Sequence, residues 1–99
     1  MTTTDLLTLD LFSERIGDDF VVEEPNAPPV TLKLVEARPL RNFANAVRAP
    51  FSLIFTGPAD MILPQRIYQL RNATIGTQSI FVVPIAGDAE KISYQAVFN

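Results

Sequence analysis

The sequence predicts a small, mainly β protein: a six-stranded antiparallel meander barrel or curled sandwich with one short N-terminal helix. Three observations predict it. Short alternating or apolar segments recur along the 99 residues. Turn formers separate them: Pro25-Asn26-Ala27-Pro28-Pro29, Gly57-Pro58, residues 72–76 and Gly87-Asp88. No segment is long enough to supply the crossover helices that a parallel sheet requires, so neighbouring strands pair antiparallel. Closing such a sheet removes its sticky edges. A chain of this length makes one domain, over residues 1–99.

The helix is expected over residues 9–16. Thr8 suits the N-cap, Asp10 the first turn and Gly17 the position after the end. Leu9, Phe12 and Ile16 recur at helical spacing and make one apolar stripe. Residues 18–24 alternate as a half-buried strand, with Phe20 and Val22 facing inward. Residues 30–37 follow, with Val30, Leu32 and Leu34 inward, then residues 51–56, with Phe51, Leu53 and Phe55 inward. Gly57-Pro58 is expected to end that third strand. Residues 67–72 turn Tyr68 and Leu70 inward, residues 79–85 form the fifth strand, and residues 92–98 turn Ile92, Tyr94, Ala96 and Phe98 inward.

Two stretches depart from this alternation. Ile80-Phe81-Val82-Val83-Pro84-Ile85 is apolar on both faces, whereas a strand with one wet face alternates. Its second face is expected to lie under the N-terminal helix or under another subunit, which makes Ile80 and Val82 interface candidates. Pro84 cannot donate to a ladder, so it belongs at an edge or a bulge. The second stretch runs from Pro39 to Pro50, long for a loop in a small domain. It reads either as a flap folded on the barrel mouth or as a contact loop. In the second reading Phe43 and Val47 form the anchor and Arg41 and Arg48 the rim, residue types favoured at interface hot spots.

The chain has no His, no Cys and no Trp. The usual general base, the commonest metal ligand, thiolate nucleophiles and disulfides are therefore all missing. Ser13, Ser52, Ser79 and Ser93 have no His to activate them, and Lys33 and Lys91 lie in no serine–lysine motif. Asp18-Asp19 lacks the patterned loop of a calcium site. Asp60, Asp88 and Glu90 lack a cleft for paired-carboxylate chemistry. The glycines are isolated, so no phosphate-cradling loop is present. No catalysis, cofactor or metal is expected.

Charge is unevenly spread. Residues 1–24 carry Asp5, Asp10, Glu14, Asp18, Asp19, Glu23 and Glu24 against Arg15. Residues 25–75 carry Lys33, Arg38, Arg41, Arg48, Arg66 and Arg71 against Glu36 and Asp60. The two parts either neutralise each other within one fold or make a two-ended molecule that meets its copies head to tail. The net charge of −3 argues against a nucleic-acid partner. No 18-residue apolar run exists and the first residues lack a basic signal region, so cytoplasmic synthesis is the default. Release or surface assembly by a dedicated route stays open.

Phe51 to Phe55, Gly57-Pro58, Leu63-Pro64-Gln65, Tyr68, Phe81 to Pro84 and the closing Phe98-Asn99 together form a pattern. On it, the chain resembles a family of short, uncharacterised bacterial proteins classed as a domain of unknown function. The resemblance implies a compact β-rich domain, often encoded near phage-tail-collar-like proteins, and supplies no catalytic residue. The expected function is that of a non-catalytic structural or assembly protein, a subunit or accessory module of a bacterial phage-tail-like or filamentous assembly. Its partner would be a protein or its own copy, with a phage-tail-collar-like protein implied by the resemblance, and neither nucleic acid nor membrane. The alternative is a monomeric module that binds a peptide or small ligand at the barrel mouth.

Overall fold

A computed structural model describes residues 7–25, 28–40 and 50–98. The chain runs through α1 (Leu9–Ser13), β1 (Asp19–Val22), β2 (Val30–Pro39), β3 (Phe51–Pro58), β4 (Arg66–Asn72), β5 (Gly76–Gly87) and β6 (Lys91–Phe98). The strands close into one antiparallel barrel in the order β1-β2-β3-β6-β5-β4, with β4 pairing back onto β1. The expected barrel and short helix are therefore present. Meander pairing holds inside each half, β1-β2-β3 and β4-β5-β6, and the halves join through β3–β6 and β1–β4.

Alternation decides which side chains fill the interior. Phe20 and Val22, Leu32 and Leu34, Leu53 and Phe55, Tyr68 and Leu70, Ile80 and Val82, and Tyr94 and Ala96 are all buried. Gly57 sits at an inward position of β3, and a Cβ there would lie 2.6 Å from Leu32 Cδ2. A side chain there would have to displace the buried Leu32, and β3 runs through Gly57 and Pro58 rather than ending before them, paired with Ile92 and Lys91. Two bulges bend the wall, one between Leu34 and Glu36 and one between Pro84 and Ala86. The second places Pro84 next to a bulge, as its missing donor requires.

Each end of the barrel has its own plug. At one end, Thr8 caps α1 by accepting the Leu11 N–H at 3.4 Å. The helix stops three residues short of the expected end, at Ser13. Its chain must enter the sheet: Gly17, at φ 96°, donates its N–H to Leu34 O at 2.7 Å. Ile16 is consequently exposed, and the stripe narrows to Phe12 with Leu9 and Leu11 beside it. Phe12 is fully buried, with ring centroids 6.3 Å from Phe20, 5.9 Å from Phe51 and 5.6 Å from Phe98.

At the other end, the connection from β3 to β4 carries Leu63 into the core. The Leu63 N–H donates to Tyr94 Oη at 3.0 Å, Tyr94 Oη donates to Met61 O at 3.4 Å, and Tyr68 Oη donates to Pro64 O at 2.5 Å. Two core tyrosines thereby hold the plug by its backbone. Replacing Tyr94 by Phe leaves a buried N–H without its acceptor, which costs about 1–3 kcal/mol. Denaturant unfolding is expected to show a lower midpoint at unchanged slope; an unchanged midpoint would show that this bond does not hold the plug.

Candidate functional site: the uncharged barrel wall

The outward side chains divide the barrel into two unlike walls. On β1, β2 and just after β1 they include Asp19, Glu23, Lys33, Glu36 and Arg38. On β4, β5, β6 and β3 they include Ile67, Gln69, Ser79, Phe81, Val83, Gln95, Val97 and Ile54, none of them charged. The charged residues of these strands, Arg66, Arg71 and Lys91, stand near the strand ends, at the start and end of β4 and the start of β6.

The centre of the uncharged wall is apolar. Ile67 and Phe81 are directly opposite each other on β4 and β5, and they are 60% and 46% exposed. Such an antiparallel pair brings two side chains into contact, here one branched and one aromatic. Ile85, in the β5 bulge, and Val97, on β6, are also exposed. Gln69 Nε2 donates to Ser79 Oγ at 2.7 Å across the same two strands, so the polar residues of the wall hydrogen-bond to each other.

The helix does not cover this wall. Its backbone lies beside β2 and β3, and its Phe12 ring reaches Phe20, Phe51 and Phe98 on β1, β3 and β6. The expectation that α1 hides the second face of residues 80–85 is therefore overturned, because the plug has to sit over the barrel end where Phe20, Phe51 and Phe98 converge. Ile80 and Val82, expected as interface candidates, are 1% and 0% exposed and belong to the core. The outward residues of that strand are their neighbours, because successive residues of a strand point to opposite faces. Phe81 is one such neighbour. Ile67 was legible as outward once Tyr68 and Leu70 were assigned inward, but only the pairing register sets it against Phe81. The candidates Arg41, Phe43, Val47 and Arg48 lie outside the described residues.

Two ion pairs join the acidic N-terminal part to the basic middle within the fold. Glu23 meets Arg71 at 2.9 Å, and Glu24 pairs with Arg66. Both contacts follow from β1 pairing with β4. Arg15 lies 3.8 Å from Asp18, and Arg38 lies 2.5 Å from Glu36. The Arg66 guanidinium also stands 4.8 Å from the Tyr68 ring centroid, and its pKa is raised, chiefly by its hydrogen bond to Glu24. Burial raises that of Tyr68. Asp88 is held below the usual carboxylate range because its Oδ1 accepts the N–H groups of Glu90 and Lys91, at 2.8 and 3.0 Å, in the β5–β6 turn.

On the charged wall, Asp19, Thr31, Lys33, Thr56, Glu90 and Lys91 line an open groove of about 280 Å³. It mixes both signs of charge and carries no preference for a cation or an anion. Among the described residues, no group of three acidic side chains is placed to hold a metal ion. No helix among them is long and apolar enough to cross a membrane.

Comparison with known proteins gives one result. No curated protein and no solved structure matches the chain. A family profile described as "Domain of unknown function (DUF6916)" matches residues 7–98, from the residue before the N-cap to the end of β6. The chain belongs to that family, and its barrel and both plugs lie within the matched residues.

Proposed function

We propose that this protein is a non-catalytic structural or assembly module that meets another protein surface through the uncharged wall. The observation that supports this reading is the Ile67–Phe81 pair, apolar and exposed on a closed barrel with no free strand edge. Closure leaves side chains, not backbone, as the means of association, and contiguous exposed apolar surface marks contact sites. The finer form of the proposal is a subunit or accessory module of a bacterial phage-tail-like or filamentous assembly, with a phage-tail-collar-like protein as its neighbour. That form rests on the family resemblance alone. Binding of a peptide or small ligand at a barrel mouth finds less support, since Phe12 and Leu63 occupy the two ends.

Mass in solution tests the reading. The chain mass is 11.0 kDa. Association that grows with concentration and persists at high salt is expected, because apolar contacts are not screened whereas exposed charge pairs are. The double variant Ile67→Thr with Phe81→Gln is expected to stay monomeric while its melting temperature changes little, as for surface substitutions generally. A wild-type mass that stays at one chain at every concentration would overturn the assembly reading.

A further inference from the structure

We infer that the barrel carries a built-in opening point: the β1–β4 seam parts before any other, and the Glu23–Arg71 and Glu24–Arg66 ion pairs are its latch. This stands apart from the assembly reading above. The seam is the shortest line of pairing in the barrel. Val21 pairs with Arg71 and Val22 with Leu70, and one further backbone bond runs from Glu23 N–H to Gln69 O at 3.3 Å. The β3–β6 seam also joins strands far apart in the chain, yet it pairs without a break from Phe51 with Phe98 to Pro58 with Lys91. All other neighbouring strands are consecutive in the chain, so a direct connection keeps them close after they part. β1 and β4 are tethered only through the rest of the barrel, and a longer closing loop costs more entropy.

Side chains make up the deficit. Glu23 and Glu24 follow the last residue of β1 and reach across to Arg71 and Arg66 of β4. Asn72 ties the other end, donating to Asp18 Oδ2 and Asp19 O. The two ion pairs lie at the surface, with the Arg66 and Arg71 side chains 55% and 51% exposed. Exposed pairs hold weakly and are screened by salt. Among the described residues no ion pair crosses the β3–β6 seam, so salt acts on one of the two long-range seams and not on the other.

Opening bares the backbone N–H and C=O groups of β1 and β4, the strand edges that closure removes. It also brings Val22 and Leu70 to water, which are 1% and 0% exposed in the closed barrel. That apolar exposure keeps the open form a minor state. Regions held by few ladder bonds and by exposed ties are the ones that open below the global unfolding free energy.

The chain contains no cysteine, so a thiol placed in the core reports opening directly. Val22→Cys on β1 and Val82→Cys on β5 are the same near-isosteric change at two buried sites. Each full-length variant is mixed with a thiol reagent under native conditions, and its labelling rate is set against its own global stability from denaturant unfolding. Val22→Cys should be labelled at least about tenfold faster than global unfolding allows, and Val82→Cys at the rate that global unfolding sets. Raising the salt concentration should speed Val22→Cys about threefold relative to Val82→Cys. Adding Arg66→Gln with Arg71→Gln should give the same gain at low salt and remove the salt effect. Two thiols that both report global unfolding would overturn the inference, since the barrel then opens as a whole. Faster labelling of Val82→Cys would overturn it too, by placing the opening on another seam. A Val22→Cys rate indifferent to salt and to the arginine substitutions would overturn the latch.

Discussion

Replacing Phe12 by Ala is expected to cost about 3–5 kcal/mol, the range for removing a fully buried phenylalanine. The reason is geometric. Phe12 is the only side chain of α1 buried completely. It touches rings from three strands, Phe20 of β1, Phe51 of β3 and Phe98 of β6. Phe51 and Phe98 are themselves stacked, with centroids 4.6 Å apart and planes 7° from parallel. Removing the ring leaves a void that these rigid neighbours cannot close, and voids in close-packed interiors lose their contacts outright. Domains of this size are stable by only about 5–15 kcal/mol. The variant should therefore melt at least about 12 °C lower, given roughly 4–8 °C per kcal/mol. Phe12→Leu, which keeps most of the apolar volume, should lose markedly less. A loss below about 1 kcal/mol for Phe12→Ala would mean that α1 does not seal the barrel.

Asn72→Ala should give the second large loss, about 3 kcal/mol. Asn72 is 3% exposed and its amide joins two parts of the barrel. Its Nδ2 donates to Asp18 Oδ2 at 3.3 Å and to Asp19 O at 3.1 Å. Its Oδ1 accepts the Thr74 N–H at 2.9 Å and the Ile75 N–H at 3.1 Å. One side chain thus pins the start of β1 to the β4–β5 turn. Alanine removes all four of these hydrogen bonds, each worth about 0.5–1.5 kcal/mol net. Amide exchange separates this mechanism from simple loss of packing. The Thr74 and Ile75 amides should exchange faster than global destabilisation alone accounts for, since they lose their acceptor. Equal acceleration of all slow amides would show that Asn72 acts only through overall stability.

Much of the barrel's interior was legible along the chain. Phe20, Leu32, Phe55, Tyr68 and Tyr94 were expected to face inward from strict alternation, and all are buried. Thr8 was expected as the N-cap and accepts the Leu11 N–H. These properties are local: the two-residue period of a strand and the chemistry of a cap need no knowledge of distant partners. Ile16 and the strand order were not legible in the same way. Ile16 sits at helical spacing from Phe12, but the helix ends early because Gly17 is bound to Leu34. A sequence of hairpins suggests a continuous meander, yet β3 pairs with β6 while the intervening connection crosses the barrel end and plugs it with Leu63.

The doubly apolar strand shows the division most clearly. Sequence identified residues 80–85 as carrying more apolar surface than one wet-faced strand needs, and that excess is real. It named Ile80 and Val82 as the interfacial residues, whereas they fill the core and Phe81 is exposed. Period-two alternation states that two faces exist; it does not state which face is inside, because that depends on the register with β4. By itself the sequence determined a β-rich chain without histidine or cysteine chemistry, its inward rows, its helix start and its surplus of apolar surface. Tertiary structure alone decided the closure order, the internal neutralisation of Glu23 and Glu24, and the gathering of Ile67 and Phe81 on one uncharged wall. Each of those rests on contacts between residues far apart in the chain, whose pairing is set by the free energy of closing the whole barrel and not by any local preference.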